Sequence, residues 1–138
     1  MRLRAVTIVL LTLFLAACGS GRKADTKLLE NTLRLYASTV RWGDIERTLG
    51  FVDPAVLEAN PPARLDLDRL KQLQVVGYRE QPFQFVGELT VRQVVQIEYV
   101  NRHTQAARSA VDVQEWRFDP EARRWWLMSG LPKVGEGR

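Results

Sequence analysis

The sequence predicts an α+β fold: a long N-terminal helix and short helices packed on a curved four-stranded antiparallel sheet. Three observations lead there. Leu29, Leu33, Tyr36 and Val40 recur at spacings of four, three and four, which is one face of an amphipathic helix. From Gln72 onward the chain is rich in β-branched and aromatic residues, and Leu89, Val91, Val95, Ile97 and Tyr99 fall at even spacing. The helical segments precede the strands, whose connections are short, an order that places helices against one face of an antiparallel sheet.

The chain of 138 residues has room for one domain. Hydrophobic residues make up 46% and charged residues 26%, so a core can form. Removing Arg2 and Arg4 with a leader leaves 18 of the 20 basic residues against 16 acidic ones, a net charge of +2. The basic residues are dispersed, and no nucleic-acid footprint results.

Arg2 and Arg4 form a positive n-region, and Ala5 to Ala17 an apolar h-region broken only by Thr7 and Thr12. As a helix that run reaches roughly 20 Å, short of the ~30 Å hydrocarbon core, so a secretory signal fits better than a transmembrane anchor. It closes in Leu15-Ala16-Ala17-Cys18, and Cys18 is the only cysteine. This ending resembles the lipobox of bacterial lipoprotein precursors. The resemblance implies that residues 1–17 are removed as a signal peptide and that Cys18 carries three acyl chains, palmitate-like, as the mature N-terminus. Anchoring follows from ~0.8 kcal/mol per buried methylene over more than one chain. Gly19 is of the kind that releases such lipoproteins outward, which implies an outer-membrane location facing the periplasm. Residues 18–26 then comprise the lipidated cysteine and a polar tether, 27–133 the globular domain, and 134–138 a flexible tail.

Within the domain, Asp25 or Thr26 caps the first helix, which Gly43 stops. Asp44 caps a second, short helix, and Asp53-Pro54 begins a third. A fourth is expected around Leu65 to Lys71. The first strand runs from Val75 to Val86, with Pro82 marking an edge or an irregularity. The second is the even series from Leu89 to Tyr99, interrupted by Gln93. In the third, Ala107 to Phe118, Val111 and Val113 share one parity while Trp116 and Phe118 share the other, which predicts a bulge or a two-sided strand. Asp119-Pro120-Glu121-Ala122 is a turn, and Arg123 to Met128 returns. With Phe118 opposite Arg124, Trp116 faces Trp126, and Trp126 is expected in the core.

A helix with an aromatic (Tyr36), a break at Trp42-Gly43-Asp44, a short helix, the acidic turn Phe51-Val52-Asp53-Pro54 and a sheet together resemble the cone-shaped nuclear-transport-factor-like superfamily, which includes ketosteroid isomerase and scytalone dehydratase. A cystatin-like helix on a sheet is the alternative fold. In the isomerases a carboxylate base follows the acidic turn, and a tyrosine with a protonated acid polarises the substrate carbonyl. Ala59 and Asn60 occupy that neighbourhood here, and Glu58 is the nearest acid, reached only with a different backbone direction.

The candidate pocket or partner-surface residues are Tyr36, Trp42, Glu58, Trp116 and Trp126. No catalytic residue, metal or cofactor is expected. His103 is the only histidine and reads as a loop residue. Asp66 and Asp68 read as a wet helix face. Glu98, Asp112, Glu115 and Arg117 read as a charge ladder on the sheet surface. Ser38 lacks a nucleophile signature, and no glycine-rich phosphate loop is present. The expected function is a membrane-anchored periplasmic binding or scaffolding domain. Its partners are the lipid bilayer, through Cys18, and a protein or a small apolar ligand. The alternatives are an isomerase- or dehydratase-like enzyme and a carrier of an apolar small molecule in the cone cavity.

Overall fold

The computed structural model describes residues 24–135; Cys18, the leader, most of the tether and the last three residues of the tail lie outside that range. The fold is α+β, with several helices and a curled antiparallel sheet. The helices are α1 (Thr26–Trp42), α2 (Ile45–Leu49), α3 (Pro54–Ala59) and α4 (Arg64–Lys71). The strands are β1 (Leu73–Glu80), β2 (Gln84–Gly87), β3 (Thr90–Asn101), β4 (Ala107–Asp119) and β5 (Arg124–Leu127). No helix among the described residues is long and apolar enough to cross a membrane.

Each helix boundary has a chemical cause. Asp25 accepts from the Leu28 N–H at 2.9 Å and caps α1. Gly43 ends α1 in the left-handed region at φ 68°, letting the Asp44 N–H reach back to the Thr39 carbonyl at 3.1 Å. Asp44 caps α2 through the Arg47 N–H, and Asp53 caps α3 through the Ala55 N–H with Pro54 at the first position. In α4, Leu65 is exposed, while Leu67 and Leu70 are half-buried.

The sheet runs β1-β3-β4-β5, with β2 pairing the same edge of β3 beyond β1. It therefore has five strands, where four were expected. The stretch read as one strand is divided by Gln81-Pro82-Phe83, because proline has no N–H for the ladder. Both halves still pair with β3, Glu80 opposite Val95 and Gln84 opposite Arg92. Register shifts at Val75/Gly77 and Phe85/Gly87 insert extra residues along this edge and increase the local twist. Strand β4 has no such shift: its pairing with β3 is continuous from Thr90–Arg117 to Val100–Ala107. It is two-sided, with Val111 and Val113 outward and Asp112, Gln114, Trp116 and Phe118 inward.

The β4–β5 register differs by one residue from the expected one. Phe118 faces Trp125, Arg117 faces Trp126 and Trp116 faces Leu127. The turn is one residue longer than the aromatic pairing assumed. Asp119 Oδ1 accepts from the N–H groups of Glu121 and Ala122 at 2.9 and 3.1 Å. Those bonds hold its carboxyl below the ordinary range. A one-residue slip exchanges the faces of a strand. Trp125 is therefore fully buried, and Trp126, expected in the core, is only half-buried beneath the Arg124 guanidinium, 4.0 Å from its ring centre. The outer edge of β5 is covered by the chain at Phe51–Asp53: Leu127 donates to the Phe51 carbonyl and accepts from the Asp53 N–H.

The core lies between α1 and the concave face of the sheet. Leu29, Leu33, Tyr36 and Val40 meet Val91, Val95, Ile97, Tyr99, Trp116, Phe118, Trp125 and Leu127. Each such side chain contributes about 1.5–3 kcal/mol by leaving water. Ala24 packs against the core, and Gly135 donates to the Tyr99 hydroxyl at 3.1 Å.

Candidate binding groove and buried polar cluster

Two features on the concave side carry polar groups beyond those needed for helix and sheet. The first is an open groove of about 990 Å³ between α1 and β1. One wall is the α1 series Glu30, Arg34, Ser38 and Arg41, with Leu33 and Ala37 at its base; these positions recur every three or four residues and so share a face. The other wall is Gln74, Val75, Val76 and Glu80 of β1, with Phe83 from the connection to β2. Gln93 of β3 and Arg102 complete the lining, and Trp42, 84% exposed, stands at the mouth. The volume lies at the upper end of the range for small-molecule sites, roughly 300–1,000 Å³.

Gln93 explains the break in the alternation of β3. It takes an inward position yet is polar. Its amide Nε2 donates to the Gln81 carbonyl at 3.0 Å, at the point where Pro82 interrupts the edge, and its Oε1 is buried without a partner. Partial burial raises the Glu80 carboxyl above the ordinary value, against the opposing influence of Arg41.

The second feature is a largely buried chain of polar groups beneath the helix. Gln114 Nε2 donates to Asp112 Oδ2 at 2.8 Å and lies 3.0 Å from the Tyr78 hydroxyl, and Gln114 Oε1 accepts from the Trp116 indole at 3.2 Å. Tyr36 packs edge-on against Trp116 and Phe51, with centroids 5.1 and 5.4 Å away, and its buried hydroxyl has no partner. Burial raises the Asp112 carboxyl, although the Gln114 bond and Lys133 act the other way. Burial also raises the phenols of Tyr36 and Tyr78. The cluster thus combines an acid biased toward its neutral form with two phenols that hold their protons.

The sequence candidates are dispersed over these features. Trp42 lines the groove. Tyr36 and Trp116 belong to the buried cluster and its aromatic wall. Glu58 is exposed on α3, and Trp126 is at the β4–β5 edge. Asp112, placed by sequence in a surface ladder, is instead 8% exposed on the inner face. The other three members of that ladder are on the surface in separate pairs: Arg79–Glu98 at 3.0 Å, Arg92–Glu115 at 3.2 Å and Arg117–Asp53 at 3.0 Å. His103 is exposed in the β3–β4 loop, and Asp66 and Asp68 are exposed on α4. Among the described residues no group of three or more His, Cys, Asp or Glu is arranged to hold a metal ion.

Sequence reasoning missed Gln93, Tyr78, Asp112 and Gln114 as site residues. The signal was present in β4: Trp116 and Phe118 point inward, so Asp112 and Gln114, of the same parity, must as well. No protein-family model, curated protein or solved structure matches the chain.

Proposed function

We propose that the protein is a membrane-anchored periplasmic lipoprotein, held at the outer membrane through acylated Cys18. Its folded part is a non-enzymatic binding domain of the cone-shaped nuclear-transport-factor-like kind, with the helix at residues 26–42 laid in the curled sheet. The observation that carries the binding reading is the groove between α1 and β1. It is open, large, lined by charges and apolar side chains together, and flanked by an exposed tryptophan. Mixed linings of this type fix the orientation of a ligand through a few polar groups while apolar surface supplies affinity.

A second reading, an isomerase- or dehydratase-like enzyme, draws on Asp112, Tyr36 and Tyr78, since a neutral acid beside phenols can polarise a carbonyl. Against it, the groove lining includes none of Tyr36, Tyr78, Asp112 and Gln114. Asp112 and Tyr78 are instead tied to Gln114, and the Tyr36 hydroxyl is buried without a partner.

The test is photo-crosslinking in intact cells from residue 38, in the groove wall, with residue 121, in the β4–β5 turn, as the control. The binding reading expects discrete adducts from residue 38 and none from residue 121. Equal adducts from both, or none from either, would overturn it.

A further inference from the structure

Resting on the binding reading, we propose that the α1–β1 groove takes a single-chain amphiphile: an acyl chain bearing an anionic headgroup and a hydroxyl. Three independent properties of the groove point to that chemistry.

The first is apolar surface left in water along the groove. Trp42 is 84% and Val76 57% exposed, and both border the same groove, which Leu33, Ala37, Val75 and Phe83 continue inward. Val76 stands there because the shift in β1 pairing at Val75/Gly77 leaves it without a partner on β3. An acyl chain along this path covers surface that no element of the fold covers.

The second is charge. Arg34, Arg41 and Arg102 line the groove, and among the described residues none of them is ion-paired. Arg34 and Arg41 are two helical turns apart, roughly 10 Å along α1. Glu30 and Glu80 share the lining, so the groove is net positive by one charge. A carboxylate or a phosphate diester is complementary to that balance, and arginine forks bind both through charge-assisted hydrogen bonds.

The third is the buried Oε1 of Gln93. Its amide nitrogen is committed to the Gln81 carbonyl, which leaves a buried acceptor with no donor on a side chain that lines the groove. A buried acceptor without a donor is unfavourable, and a ligand hydroxyl satisfies it where an acyl chain or a carboxylate does not.

The experiment uses the full chain in membranes isolated from cells that make it. Two photoreactive, alkyne-tagged probes are added separately: 3-hydroxypalmitate, with a carboxylate head and with plain palmitate as its comparison, and lysophosphatidylglycerol, with a phosphate head. Adducts are then mapped by peptide. The expected result is labelling concentrated on peptides containing Trp42, Val76 or Phe83; whichever probe labels them identifies the headgroup. The exposed double variant Arg34→Gln/Arg41→Gln, which removes no core contact, should lower that labelling about tenfold, the scale of losing charge-assisted bonds. Gln93→Leu should abolish the preference for 3-hydroxypalmitate over plain palmitate. Labelling spread evenly over exposed peptides, or unchanged in the double variant, would overturn the proposal. Adducts to a protein from residue 38 with neither probe entering the groove would overturn the amphiphile while leaving the binding reading standing. Silence in both experiments overturns both.

Discussion

The indole nitrogen of Trp125 donates to the carbonyl oxygen of Asp25 at 2.9 Å, joining the last strand to the residue that caps α1. The ring is fully buried and packs on Phe118 with centroids 5.2 Å apart. Its neighbour Trp126 lies against Arg124 at the edge of the sheet. Trp125→Ala should therefore destabilise the domain by about 3–5 kcal/mol, as for other buried aromatics. Trp126→Ala should cost about 1 kcal/mol, the scale of a partly exposed cation–π contact. Thermal melting separates them: at roughly 4 °C or more per kcal/mol, the Trp125 variant melts at least about 12 °C below the parent. A larger shift for the Trp126 variant than for the Trp125 variant would place the strand in the other register.

That pair of tryptophans marks where sequence patterning stops being decisive. The stripe of α1 was legible because Leu29, Leu33, Tyr36 and Val40 repeat at the helix period, and its ends because Asp25 and Gly43 satisfy orphan backbone groups. Strand β3 was legible because four inward apolar residues, Val91, Val95, Ile97 and Tyr99, outweigh Gln93. In Trp125-Trp126 both parities are aromatic, so hydrophobicity cannot choose the face; the length of the Asp119 turn does, and that is set by hydrogen bonds. The groove was illegible for a different reason. It is bounded by exposed residues of two elements distant in sequence, brought together only by the curl of the sheet.

Asp112 offers a pH test. Burial raises its carboxyl above the ordinary value of 3.8, so the folded state binds this proton more readily than the unfolded chain does. At neutral pH the buried charge therefore subtracts from stability, and the penalty disappears as pH falls through the folded value toward 3.8. Asp112→Asn keeps an acceptor for Gln114 without the charge. Its melting temperature should exceed that of the parent at pH 7, and the two should converge as the pH approaches 4. The difference between the two proteins isolates Asp112 from Glu80, raised likewise, and from Asp119, lowered. A variant less stable than the parent at pH 7 would mean that the charge is compensated inside.

Asp53 joins three elements. Its Oδ1 caps α3 at 2.8 Å, its Oδ2 accepts from Arg117 Nη2 of β4 at 3.0 Å, and its N–H bonds to Leu127 of β5. Asp53→Ala should lose about 2 kcal/mol, combining a lost cap with a lost partner for Arg117. Asp53→Asn retains a capping oxygen and gives up only the ion pair with a half-exposed arginine, worth about 1 kcal/mol or less. Urea unfolding measures both. Equal losses in the two variants would show that the ion pair, and not the cap, holds this corner.

The anchor is tested outside the folded domain. On the proposed lipoprotein reading, Cys18 carries the acyl chains, so Cys18→Ser should abolish incorporation of labelled fatty acid and leave an unprocessed precursor or a soluble product. Retention by several buried chains, at ~0.8 kcal/mol per methylene, leaves almost no free protein in the parent. Gly19 then sets the destination in a two-membrane bacterium. Lipoproteins with aspartate after the cysteine commonly stay at the inner membrane, whereas other residues there permit release outward. Density separation of the two membranes should find the parent banding with the outer membrane, carrying label, and Gly19→Asp moved inward. A groove that takes an amphiphile needs that placement, because such molecules partition into bilayers rather than into the aqueous phase. Unlabelled parent protein, free in the periplasm, would remove both the anchor and the reason for the groove to face a membrane.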